Sequence, residues 1–148
     1  MCGYLGKISK NQFSTISFEE ANRNIICRGP DSIKRIEGQF KDLPGMNIQD
    51  FFCLIFNRLS IIDLSEDAMQ PMISEHYRTM ILFNGEIYNH NELRSELEKQ
   101  GVSFKTSHSD TEVLLNGISY QGISFINKII GQFSIIFFDS KIQGHIFH

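Results

Sequence analysis

Tryptophan is absent from the 148 residues, cysteine and proline occur three times each, and no apolar run approaches the roughly 18 residues of a membrane span. Cys2, Cys27 and Cys53 are too few and too scattered for a disulfide scaffold, and a reducing compartment suits them. The start lacks a basic segment followed by an apolar one, so the expectation is a cytoplasmic protein that neither enters nor crosses a membrane. A net charge of −3 leaves no footprint for nucleic acid or an anionic surface. Neither a Gly-x-x-x-x-Gly-Lys-Ser/Thr nor a Ser-Gly-Gly pattern occurs, which removes the usual phosphate-binding loops.

What is present fits one domain over residues 1–148, long enough to bury roughly two thirds of its unfolded surface. Hydrophobic residues make up 41%, and 13 phenylalanines supply the core volume that tryptophan does not. The chain opens Met1-Cys2-Gly3. Removal of an initiator methionine before so small a side chain leaves a thiol and a free α-amine on one carbon, and the amine is a plausible base for the thiol. Gly3 lets a substrate or strand come close. On these three residues alone, an inert buried thiol is the commoner outcome.

In chain order, Gly3 to Ile8 reads as a strand. Ser17 with Glu20 forms a capping box ahead of a helix over Phe18 to Ile26, and Arg28-Gly29-Pro30-Asp31 breaks that helix. Ile33 to Phe40 is a second strand. Phe51 to Phe56 is a continuous apolar run, hence a strand covered on both faces, with Cys53 in the core and Asn57-Arg58 at its end. Arg58 needs an anion opposite it, internal or bound. Ala68 to Met72 is a loop and Thr79 to Phe83 a strand running into Asn84-Gly85. That dipeptide is a strong hairpin signal, and it also puts a side-chain amide beside a glycine N–H, the donors of an oxyanion hole. Asn89 and Glu92 open a helix that Gly101 ends; Phe104 and Lys105 form a short strand; Ser109 and Glu112 cap a further helix whose first turn holds Asp110. Asp110 is either a dipole-stabilised carboxylate or the counter-ion of a ligand ammonium. Ile123 to Ile130 is a short apolar helical segment, and Phe133 to Asp139 the last full strand.

Seven blocks in order carry a resemblance: Met1-Cys2-Gly3 with Gly6, Arg28-Gly29-Pro30-Asp31, Arg58-Leu59-Ser60-Ile61-Ile62-Asp63, Gln70-Pro71, Asn84-Gly85-Glu86-Ile87-Tyr88-Asn89, Ser109-Asp110 and Gly131-Gln132-Phe133. They resemble the N-terminal glutaminase domain of glutamine-dependent asparagine synthetases, class II glutamine amidotransferases. The resemblance implies an α+β fold, the αββα sandwich of N-terminal-nucleophile hydrolases, with two stacked antiparallel sheets and a truncated C-terminal end.

It also implies roles: Cys2 attacks the side-chain amide of glutamine, and Asn84 and Gly85 hold the oxyanion. Arg58 pairs with the substrate carboxylate and Asp110 with its ammonium, while Ile61, Ile62 and Glu86 line the pocket. No cofactor is implied for glutamine hydrolysis. ATP and Mg2+ belong to a synthetase domain, absent here, which as partner domain or subunit takes the ammonia; homo-oligomerisation is left open. Two positions depart from the family pattern, Cys27 and Asn57, each standing where histidine is usual. The competing readings are a relative that binds glutamine without turning it over or serves as a subunit interface, and a structural domain with an inert Cys2.

Overall fold

The structure, a computed structural model, describes residues 2–59, 69–141 and 144–147, the last of these by backbone only. Strands β1 (Gly3–Ser9), β2 (Ser32–Gln39) and β3 (Phe51–Arg58) form one antiparallel sheet in the order β1-β3-β2. Strands β4 (Met72–Ser74), β5 (Thr79–Ile87), β6 (Gly131–Asp139) and β7 (Gly144–Phe147) form a second, in that order and also antiparallel. Helix α1 (Ile16–Arg23) lies on the first sheet, and α2 (His90–Lys99) and α3 (Asp110–Gln121) on the second.

Period-two alternation builds the layers. Phe52, Leu54 and Phe56 of β3 face Met80 and Leu82 of β5 and Phe138 of β6 between the sheets, with Phe40 wedged among them. Its ring lies 4.5 Å from that of Phe52 and 4.8 Å from that of Phe138. The alternate residues of β3, Cys53 and Ile55, face Phe18 of α1. Ile81, Phe83 and Ile87 of β5 pack outward on Leu93 and Leu97 of α2 and on Val113, Leu114 and Ile118 of α3. The order helix, sheet, sheet, helix is therefore set by which face of β3 and β5 each apolar side chain takes.

Several sequence expectations are corrected. The first helix begins at Ile16 and ends at Arg23, so Ser17 sits inside it; its N-cap Thr15 makes no cap bond, because the Thr15 hydroxyl accepts from Arg35 Nη2 at 2.8 Å. Asn84-Gly85 makes no turn. It lies within β5, opposite Ser134 and Phe133 of β6. Phe104-Lys105 is not a strand, since the backbone N–H groups of Lys105 and Thr106 donate to the Glu112 carboxylate at 2.7 and 2.8 Å. Asn89 precedes α2 without capping it; its side chain instead holds Lys128 O and Ile130 N, each at 2.9 Å. β4 and β7 were not foreseen, and β7 puts a further strand beyond Asp139. The Gly101 end of α2 is as expected: Val102 N–H returns to Leu97 O at 3.0 Å, with both side chains buried.

Candidate active site

The registers decide which residues meet. Gly3 pairs with Asn57 and Ser32 with Arg58, so the start of β1, the start of β2 and the end of β3 coincide at one end of the first sheet. There the Leu59 N–H donates to Cys2 Sγ at 3.3 Å and the thiol approaches Leu59 O at 3.6 Å. Arg28 Nε donates to Cys2 O at 3.3 Å. Cys2 is half-buried against the cluster between the sheets, whereas Cys53 is fully buried, where desolvation pushes its thiol pKa up, and Cys27 is exposed. Of the three thiols, only Cys2 is both held and reachable.

Gly29 allows this convergence. A Cβ there would stand 2.2 Å from Asn57 O and 2.7 Å from the carbonyl carbon of Arg58, and Asp31 N–H donates to Arg58 O at 3.1 Å. The Arg-Gly-Pro-Asp block thus lies against the backbone that carries Arg58, and Arg58 itself is buried. Asn57, where histidine was expected, is fully buried on the α1 side and donates to Asn22 Oδ1 at 2.7 Å.

The second half of the site lies on the second sheet. Asn84 continues the inward row of Met80 and Leu82, so its amide faces the first sheet, and its Oδ1 is buried with no hydrogen-bond partner among the described residues. Tyr4, two residues from Cys2 on the same face of β1, bonds Ser134 Oγ at 2.5 Å, and Ser134 is the residue opposite Asn84. This contact fastens the Cys2 end of one sheet to the Asn84 end of the other. Gly85 is packed so tightly on β6 that a Cβ would lie 2.2 Å from Gln132 O. The Glu86 side chain is exposed and its carbonyl abuts Gly131.

Asp110 comes from the helical layer. Ser109 Oγ accepts from Glu112 N at 3.3 Å and the Glu112 carboxylate clamps the loop before it, so the first turn of α3 is held at the end of β5. Asp110 is buried, its Oδ2 lacks a partner among the described residues, and desolvation raises its pKa above the usual carboxylate range, opposed by the backbone N–H of Ile87 and Thr111 and by the nearby His90. His90 Nδ1 meets Ile87 O at 2.8 Å. A buried carboxylate with an unused oxygen is suited to a cation from outside.

The structure therefore groups Cys2, Leu59 and Arg58 at one sheet end, and Asn84, Gly85, Glu86 and Asp110 at the other, bridged by Tyr4 and Ser134. Ile61 and Ile62 lie outside the described residues. Sequence reasoning missed Tyr4 and Ser134, and named Leu59 and Gln70 only as members of their blocks. Tyr4 had a signal, its two-residue spacing from Cys2 on a strand; the contacts of the other three had none, since their partners are distant in the chain.

Two antiparallel sheets stacked between helices, with a cysteine at the head of the first strand, define the α+β sandwich of the N-terminal-nucleophile hydrolases. The fold is shared with the glutamine phosphoribosylpyrophosphate amidotransferase of Bacillus subtilis, at a TM-score of 0.66 and 17% identity over 95% of this chain and 35% of that one. Residues 1–147 match the family model of the glutamine amidotransferase domain, and the chain belongs to that family. It is 38% identical over 146 residues to glutamine-hydrolysing asparagine synthetase 1 of B. subtilis strain 168, covering 95% of this chain and 21% of the relative. A glutamine-hydrolysing asparagine synthetase of Sandersonia aurantiaca is 34% identical over 149 residues, 99% of this chain and 26% of the relative. The chain thus spans about a fifth to a quarter of the length of these relatives.

Proposed function

We propose that this chain hydrolyses glutamine to glutamate and ammonia, with Cys2 as nucleophile, in the cytoplasm and as the ammonia-supplying part of an asparagine synthetase. The observation that carries the reading is the thiol of Cys2 held by Leu59 N–H at 3.3 Å, on the face toward which Asn84 points its side chain, with Oδ1 buried. With Met1 removed, the α-amine of Cys2 takes the thiol proton as Sγ bonds the side-chain carbonyl carbon of glutamine. Negative charge then develops on the carbonyl oxygen, where the Asn84 amide N–H and the Gly85 N–H donate to it. The C–N bond breaks as the amine returns its proton to the leaving nitrogen, giving ammonia and a γ-glutamyl thioester. Water adds to the thioester, the S–C bond breaks, and glutamate leaves.

Arg58 and Asp110 divide the charges of the amino-acid end: the guanidinium takes the α-carboxylate and the carboxylate the α-ammonium. The resemblance to asparagine synthetases assigns the remaining contacts with glutamine to Ile61, Ile62 and backbone near Glu86. These steps use a thiol, an amine and hydrogen-bond donors, and require neither metal nor nucleotide. On this reading, activation of an aspartate carboxylate by ATP is the task of a separate synthetase module that receives the ammonia.

The test incubates the purified chain with glutamine, aspartate and ATP–magnesium and measures glutamate, asparagine and AMP separately. Glutamate should form at a rate insensitive to EDTA, and Cys2→Ala or a blocked α-amine should abolish it while circular dichroism stays native. Glutamate release by Cys2→Ala, or asparagine above the no-enzyme background, would refute the assignment.

A further inference from the structure

Gln70 opens the Gln70-Pro71 block, and the reaction above gives it no part. Its side chain is almost fully buried. Gln70 Oε1 accepts from the Phe83 N–H at 2.5 Å, and Nε2 donates to Thr111 Oγ1 at 3.3 Å. The Thr111 hydroxyl, having accepted, turns its own proton to Asp110 Oδ1 at 3.5 Å. The direction of this chain is fixed at its start, because a backbone N–H can only donate and so assigns the oxygen and nitrogen of the Gln70 amide.

Each end of the chain reaches one half of the candidate site. Phe83 immediately precedes Asn84-Gly85, and it lies beyond the short β4–β5 pairing, which ends at Met72 opposite Ile81. There the Gln70 side chain takes the place of a strand neighbour for β5. Thr111 is the residue after Asp110 in the first turn of α3.

We infer that Gln70 is a positioning residue, which through one buried amide holds the Asn84-Gly85 donors and the Asp110 carboxylate in a fixed relation. The role rests on the proposed glutaminase reading and adds to it the residue that couples the scissile amide to the α-ammonium. In a buried hydrogen-bond chain each link polarises the next, so loss of the amide acts at both ends.

The experiment compares wild type, Gln70→Ala, Thr111→Val and the packing control Ile118→Val, which thins the same α3–β5 interface. Substrates are glutamine and 4-carbamoylbutyrate, which is glutamine without its α-ammonium, and kcat and KM are resolved for each. Gln70→Ala should lower kcat for both substrates by about ten- to a hundredfold, the order expected of a displacement near 1 Å, and should also cut the preference for glutamine at least tenfold. Thr111→Val, which spares the bond to Phe83, should cut the preference with a much smaller change in kcat. Ile118→Val should lower the melting temperature and leave the preference intact.

A Gln70→Ala variant that keeps the wild-type preference, or an Ile118→Val variant that loses it equally, overturns the positioning role. A wild type that hydrolyses neither substrate instead overturns the glutaminase reading itself, and the role with it.

Discussion

Asp110→Asn separates what the carboxylate does for binding from what it does to the fold. Asp110 is 7% exposed, one of its oxygens has no partner among the described residues, and burial raises its pKa. Between the ordinary carboxylate range and this raised value, the folded protein keeps a proton that the unfolded chain has released. The stability associated with Asp110 is therefore full in acid and is lost as pH rises through the folded value. Asparagine has no such proton. The variant should match wild type in acid and exceed it near pH 7 by on the order of 1 kcal/mol, a gain typical of one stabilising substitution. Glutamine binding should move the other way, because the ligand ammonium loses its counter-charge at a cost of roughly 2–5 kcal/mol, or about thirtyfold to several thousandfold in affinity. Urea unfolding across a pH series and calorimetric titration with glutamine read the two effects. An asparagine variant less stable than wild type near pH 7 would mean that the carboxylate is already neutralised within the protein, and undiminished binding would remove it from the pocket.

Arg58→Ala should weaken glutamine binding by roughly 2–5 kcal/mol, since the substrate carboxylate loses its counter-charge, and Arg58→Lys by less, since lysine keeps the charge but not the planar fork; calorimetry showing Ala equal to Arg would remove Arg58 from the pocket. Gly29→Ala should destabilise the fold by about 3 kcal/mol, as its Cβ would meet Asn57 O at 2.2 Å, and thermal unfolding checks it.

The strands were legible wherever one face or both were apolar. Phe51–Phe56 read as a doubly covered strand and is the centre of its sheet. Asn84-Gly85 misled because the hairpin rule is local, while the partner that keeps β5 extended is β6, opening at Gly131. Phe104-Lys105 misled for a related reason: its backbone donors are taken by Glu112, a side chain on the next helix. β4 is three residues long, too short for any periodicity. The candidate site was legible as ordered blocks, each ambiguous alone. On the sequence alone Arg58 could serve an internal carboxylate or a ligand's, and Asp110 the helix dipole or a ligand ammonium. Gln70 was visible as part of a block but not as a link, because residues 70, 83 and 111 meet only in three dimensions.

Because Gly3 pairs with Asn57 and with nothing nearer, β1 has no strand partner until β3 has been synthesised. At roughly 5–20 residues per second, the amino terminus spends several seconds of translation as a loose end. During that interval the end of the chain that carries Cys2 has no strand neighbour. Once β3 arrives, Leu59 grips the Cys2 thiol and Arg28 the Cys2 carbonyl. Closure of the first sheet around Cys2 therefore waits on β3, the third strand in the chain.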